Sequence, residues 1–156
     1  HKSIHKSKIF FIQNNIDSFT HFSILSPMSA DEAKKYKDLG NEAFKQKNFK
    51  EAIQNFTKAI EINPNDHVFY SNRSAAYASL EEYDQALDDA TKCVEMKPDW
   101  AKGYTRKGLA EFYLYDYVEA EKTYKKGLEI EPENAQLKEG LQRVLDSKKQ
   151  SSGFGG

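Results

Sequence analysis

The sequence predicts an all-α solenoid in which three stacked helix pairs are closed by a last amphipathic helix. Three observations carry this reading. Pro64, Pro98 and Pro132 fall 34 residues apart. The same shift superposes Tyr36, Tyr70 and Tyr104, and also Ala52, Ala86 and Ala120. Small residues keep the same step at Gly40, Ser74 and Gly108, and again at Ala59, Cys93 and Gly127. Units of this length cannot bury an apolar face alone. They stack on their neighbours and leave a concave groove.

The elements follow in order. The first helix of each repeat is expected over 33–46, 67–80 and 101–114, and the second over 50–62, 84–96 and 118–130. Each proline stands just beyond a second helix, where its ring cannot continue the ladder. Asn65 or Asp66, then Asp99, then Asn134, have the side chains to cap the helix that follows. The recurring small residues fit two helices of a pair crossing closely. Phe49, Tyr83 and Tyr117, with the recurring tyrosines, would fill the space between pairs. From Asn134 to about Lys149, Leu137, Leu141, Val144 and Leu145 recur at helical spacing and read as a capping helix. The repeats are therefore 33–66, 67–100 and 101–134, in a domain spanning 28–149.

The ends differ from this middle. Residues 1–27 hold three of the four histidines, and their apolar run Ile9-Phe10-Phe11-Ile12 breaks at Gln13. That is too short for a secretory signal core, and without arginine it does not suit a mitochondrial presequence. Met28-Ser29-Ala30 looks like an ordinary start, so 1–27 reads as a disordered extension outside the domain. Residues 150–156, with Ser151, Ser152 and three glycines, have linker composition.

Composition narrows the function. Lys and Arg number 23 and Asp and Glu 24, a net charge of -1. Three lysines and one aspartate precede residue 28, which leaves the remainder at 20 basic against 23 acidic residues. This balance argues against a nucleic-acid partner. One cysteine, Cys93, excludes an internal disulfide and a multi-thiolate metal site. No apolar run approaches the roughly 18 residues of a membrane span, so no membrane partner is expected.

A stripe on the first helices points to binding. Counted from Ala33, His67 and Ala101, repeat positions 2, 5, 6 and 9 lie within about 100° of arc. They hold Lys34, Lys37, Asp38 and Asn41, then Val68, Ser71, Asn72 and Ala75, then Lys102, Thr105, Arg106 and Leu109. The stripe avoids the packing positions and should face the groove. It gathers Lys37, Asn41, Asn72, Lys102 and Arg106 from three helices into a carboxylate trap, where charge-assisted hydrogen bonds contribute about 1.5–3 kcal/mol each.

The 34-residue period and these residues resemble the tetratricopeptide repeat, over about 31–149. The stretches Asp66–Ala78, Lys97–Tyr104 and Gln136–Leu141 are similar to the first repeat domain of the Hsp70–Hsp90 organising proteins. The resemblance implies a right-handed solenoid of three helix pairs plus a capping helix. It also implies a two-carboxylate clamp for peptides ending Glu-Glu-Val-Asp, the C-termini of heat shock proteins 70 and 90, with heat shock protein 70 favoured. Asn41 and Asn72 would hold the terminal carboxylate, and Lys37, Lys102 and Arg106 would supply charge. Ala75, Ala78, Phe112 and Tyr113 would line an apolar pocket. Ser79 departs from the lysine that relatives often carry, which weakens the case for acidic residues upstream.

Other features read as structural. Cys93 shares the small-residue slot and reads as core. His67 has no partner suggesting a triad or metal site. Glu81-Glu82 and Asp88-Asp89 read as a solvated face, and Trp100 as an anchor between repeats. With no catalytic constellation and no cofactor motif, the expectation is a cytoplasmic co-chaperone adaptor rather than an enzyme. The alternative is the targeting arm of a larger enzyme such as a prolyl isomerase, phosphatase or ubiquitin ligase.

Overall fold

The structure, a computed structural model, describes residues 27–153. The disorder expected of the N-terminal extension falls on residues outside that range, apart from Pro27, which opens the first helix. The described residues form seven helices and no strand: α1 (Pro27–Lys45), α2 (Phe49–Ile62), α3 (His67–Ser79), α4 (Tyr83–Met96), α5 (Ala101–Tyr113), α6 (Tyr117–Ile130) and α7 (Ala135–Gly153). No helix among them is long and apolar enough to cross a membrane. Helices α1–α2, α3–α4 and α5–α6 pack as hairpins, each pair stacks on the next, and α7 closes against α6 and α5.

Each hairpin turns in the same way. Lys47, Glu81 and Tyr115 adopt φ of 63°, 59° and 64°. The following N–H groups of Asn48, Glu82 and Asp116 donate back to the carbonyls of Ala43, Tyr77 and Glu111 at 2.8, 2.9 and 2.9 Å. This is the six-to-one closure of a Schellman motif, which ordinarily places glycine at the left-handed residue. Here all three are L residues with side chains.

The small residues of the first set act inside the pair. A Cβ on Gly40 would lie 2.5 Å from the Phe56 ring, and one on Gly108 2.7 Å from the Tyr124 ring. In the middle repeat both positions are small. Ser74 replaces the glycine, its Oγ donating to the Ala86 carbonyl at 2.7 Å, and Ala90 stands where the other repeats have Phe56 and Tyr124. The second small set works within the pair, as expected, and between pairs as well: Ala59 clusters with Ala33 of α1, and a Cβ on Gly127 would lie 3.0 Å from the Tyr104 Cβ on α5. Ala59 packs with Phe69 of α3, and Cys93 Sγ lies 3.3 Å from the Cβ position of Gly103 on α5. A Cβ on Gly127 would meet Leu137 of α7 at 2.8 Å.

The proline step and the tyrosine step prove to be one device. The Tyr70 hydroxyl donates to the Pro64 carbonyl at 2.9 Å, and that of Tyr104 to the Pro98 carbonyl at 2.7 Å. Each bond ties the start of a repeat to the turn that precedes it. His67 meets Trp100 edge-on at 4.7 Å between centroids, so Trp100 does anchor successive repeats.

Capping departs from the sequence expectation at one helix. Asp66 Oδ1 accepts from Val68 N at 2.9 Å and Asn134 Oδ1 from Leu137 N at 3.1 Å, both as expected. Asp99 does not cap α5. It lies one residue too early, because Trp100 occupies the cap position, and it pairs with Lys97 Nζ at 3.2 Å. Asp116, unforeseen, caps α6 through Glu119 N at 3.3 Å.

Two further expectations are overturned. Asp89 is not on a solvated face but buried, gripped by Arg73 through two bonds of 2.7 Å. Arg73 Nη1 also donates to Thr57 Oγ1 at 3.2 Å, so one fork joins α3 to α4 and α2. Residues 150–153 are not linker but the end of α7. No glycine or proline intervenes between Gly140 and Gly153, and the Ser151 and Ser152 hydroxyls donate to the carbonyls of Ser147 and Lys149. Leu137 and Val144 are fully buried under α7, with Leu141 packed beside them.

Gly40→Ala is expected to destabilise the domain by about 1–3 kcal/mol through overpacking against Phe56. In a Phe56→Leu background most of that cost should vanish. Urea denaturation of the four proteins checks this, and an equal cost in both backgrounds would exclude a clash with the ring.

Candidate functional site: the groove of the first helices

The first helices of successive pairs touch in turn, α1 with α3 and α3 with α5, forming one inner row. This row carries the predicted stripe. At its centre Asn72 Nδ2 donates to Asn41 Oδ1 at 3.2 Å, joining α1 to α3. Among the described residues this is the one bond Asn41 makes through its side chain, so both of its amide N–H donors stay uncommitted.

Arg106 on α5 is the unusual member. Its Nε is buried with no hydrogen-bond partner among the described residues. Burial holds the guanidinium below its ordinary pKa, and the weak opposing influence comes from the Cys93 thiol rather than from any carboxylate. A cation taken from water without a counter-charge costs several kcal/mol. The groove is therefore electrostatically incomplete where Arg106 meets it.

Lys37 and Lys102 occupy their stripe positions but join neither asparagine directly. Lys37 Nζ lies 3.9 Å from Asp38 Oδ1, a loose contact, since Asp38 is already bonded by Lys34 at 2.7 Å. Lys102 Nζ stands 5.8 Å from the Trp100 ring centre. Both ammonium groups sit on flexible stems able to swing toward an anion. Ser71, also on the stripe, is fully buried and turns into the core.

Beside Arg106 lies a depression of about 280 Å³, lined by Ala75, Ala78 and Tyr113 together with Phe44, Ser79, Tyr83 and Leu109. Its size suits a side chain or two of an extended peptide rather than a cofactor. Phe112 is not part of it. That ring packs on the core cluster of α5–α7 and on Tyr117 at 5.5 Å, because its position on α5 turns it toward α6. Tyr83 takes its place in the wall, stacked on Tyr113 at 4.7 Å and 9°. Its recurrence with Phe49 and Tyr117 signalled packing and concealed this exposure to the groove.

Burial pushes the Cys93 thiol up to about 11, far from a reactive thiolate. Among the described residues no group of three or more His, Cys, Asp or Glu side chains is placed to hold a metal.

A family model described as "Serine/threonine-protein kinase BSK1-like, TPR repeats" matches residues 12–107, more than half of the chain, and a tetratricopeptide-repeat model matches 101–134. The chain belongs to the tetratricopeptide-repeat family. Among curated relatives, Hsp70-Hsp90 organizing protein 2 of Arabidopsis thaliana is 53% identical over 55 residues, 35% of this chain and 9% of that protein. The chain thus matches about a tenth of the length of most of these curated relatives. Two solved tetratricopeptide domains cover it more fully. The first such domain of Spaghetti (RPAP3), bound to the HSP90 peptide SRMEEVD, is 33% identical with a TM-score of 0.74 over 76% of this chain and 94% of that one. The second domain of human RPAP3, in complex with the HSP70 peptide SGPTIEEVD, is 28% identical with a TM-score of 0.72 over 74% and 97%.

Replacing the unpaired guanidinium by an apolar side chain of similar length should relieve its desolvation. Arg106→Met is expected to raise the thermal midpoint of the peptide-free tetratricopeptide domain by about 2–4 °C. Differential scanning calorimetry reads this directly, and a lowered midpoint would count against a costly free cation.

Proposed function

We propose that the chain is a co-chaperone peptide-binding module that captures the Glu-Glu-Val-Asp tail of heat shock protein 70 or 90 through its terminal carboxylates. The buried Nε of Arg106, without a partner beside a groove that also holds the joined Asn41 and Asn72, carries this reading. A carboxylate is the ligand that completes such a site: planar, anionic and able to accept from several donors at once. In this reading Asn41 and Asn72 hold the main-chain carboxylate, while Lys37, Lys102 and Arg106 neutralise it and the last aspartate side chain. Ala75, Ala78 and Tyr113 receive apolar residues upstream. The peptides bound to both solved relatives end in EEVD, which supports the same chemistry. Since that ending is shared, discrimination between the two chaperones falls to residues further upstream.

The unit doing this is the domain of 28–149, extended by the last turn of α7, acting as a non-enzymatic adaptor in the cytoplasm. A second reading, the targeting arm of a larger enzyme, draws support from the kinase-like description of one matching family model. The full-length transcript separates the two, since a catalytic domain encoded in the same chain would favour the arm.

Calorimetric titration with a peptide ending Glu-Glu-Val-Asp is expected to give roughly micromolar binding, about -8 kcal/mol. Amidating its C-terminus, or changing Lys102→Ala, should weaken it by about 1–3 kcal/mol. Added salt should weaken it too, because the groove is open to water. Equal binding of free-acid and amidated peptides would sink the carboxylate reading.

A further inference from the structure

The chain has three arginines, and among the described residues only Arg73 is paired with a carboxylate. Arg106 is the groove cation already discussed. The third, Arg143, belongs to α7, the helix read from sequence as a cap. It is exposed, yet it is held in place. Its guanidinium lies 4.8 Å from the Phe112 ring centre and 5.6 Å from that of Tyr113, and Nη2 donates to the Tyr113 hydroxyl at 3.0 Å. Tyr113 is itself stacked on Tyr83, so the fork rests on a braced aromatic wall.

This wall connects Arg143 to the groove. Arg106 is the only charged residue lining the depression that holds Ala75 and Tyr113. Arg106 and Leu109 also line a second depression of about 190 Å³, between α5 and α7, and Arg143 forms its far side. Glu139 faces the same space and helps hold the Arg143 charge, though the two make no ion-pair contact among the described residues. An arginine offers five N–H donors, and one nitrogen is engaged here, so the rest are available to an incoming anion. Stacking fixes the plane of the fork before a ligand arrives, which lowers the ordering cost of binding.

An extended peptide advances about 3.3 Å per residue. One whose carboxylate terminus lies near Arg106 and whose chain follows the depression that Arg106 and Arg143 share would meet Arg143 within a few residues. We propose that Arg143 is a specificity-determining residue that takes an acidic side chain just upstream of the last two residues of the peptide, making α7 part of the recognition surface. This rests on the groove holding a C-terminal carboxylate. The competing role is purely structural, a cation covering Phe112.

The test is a calorimetric cycle on the full chain with peptides ending Glu-Glu-Val-Asp and Gln-Gln-Val-Asp, both keeping the terminal carboxylates. Wild type should prefer the acidic peptide by about three- to tenfold. Arg143→Gln should erase the share of that preference due to Arg143 while leaving the Gln-Gln peptide unaffected, and Arg143→Lys should restore part of it. A preference that survives Arg143→Gln unchanged overturns the proposal, as does equal weakening of both peptides, the mark of a structural role. Wild type binding neither peptide would overturn the carboxylate reading along with this one. Binding with an intact preference in Arg143→Gln overturns this one alone.

Discussion

In the first and third pairs the two helices lie close because bulk on one is matched by its absence on the other. Gly40 receives Phe56 and Gly108 receives Tyr124, while the middle pair sets the small residues Ser74 and Ala90 at the equivalent positions. Close packing leaves no space for a second large group at such a crossing. The crossing holds each hairpin closed, and the hairpins set the first helices side by side. Only then do Asn41 and Asn72, from different repeats, come within hydrogen-bonding distance. The groove is thus a product of packing that lies wholly outside it.

Arginine shows how one side chain serves two ends in this fold. Arg73 is matched by Asp89 and Thr57, and its charge is consumed in holding three helices together. Arg106, one repeat later and one position earlier, is given no such partner. The third repeat does the cross-helix work of Arg73 with other groups: Thr123 Oγ1 donates to the buried Glu111, with Lys107 at 3.9 Å. A chain that is acidic on average therefore presents an unmatched cation at one place, its Nε buried beside an open groove.

The regular spacing of Tyr, Pro, Ala and small residues made the helices and their order legible, because each repeats a packing demand three times over. Stripe positions were legible for the same reason. What escaped was whatever differs between repeats. Asp89 looked like a surface acid because its partner Arg73 stands sixteen residues away on another helix. Phe112 and Tyr113 are adjacent, and no periodicity separates the ring that enters the core from the one that meets the groove. Asp99 missed its cap by a single residue, an offset that only backbone geometry decides.

Lys47, Glu81 and Tyr115 hold left-handed backbone without being glycine. Such a residue costs about 1–2 kcal/mol relative to the right-handed region. The backbone bonds that close each turn offset only part of this, and Tyr115 stays 79% exposed. The turns are bent by the helices they join, so a hairpin cut from its neighbours has little reason to stay closed. Folding is then an all-or-none property of the array, and a single excised repeat would be a largely unfolded peptide.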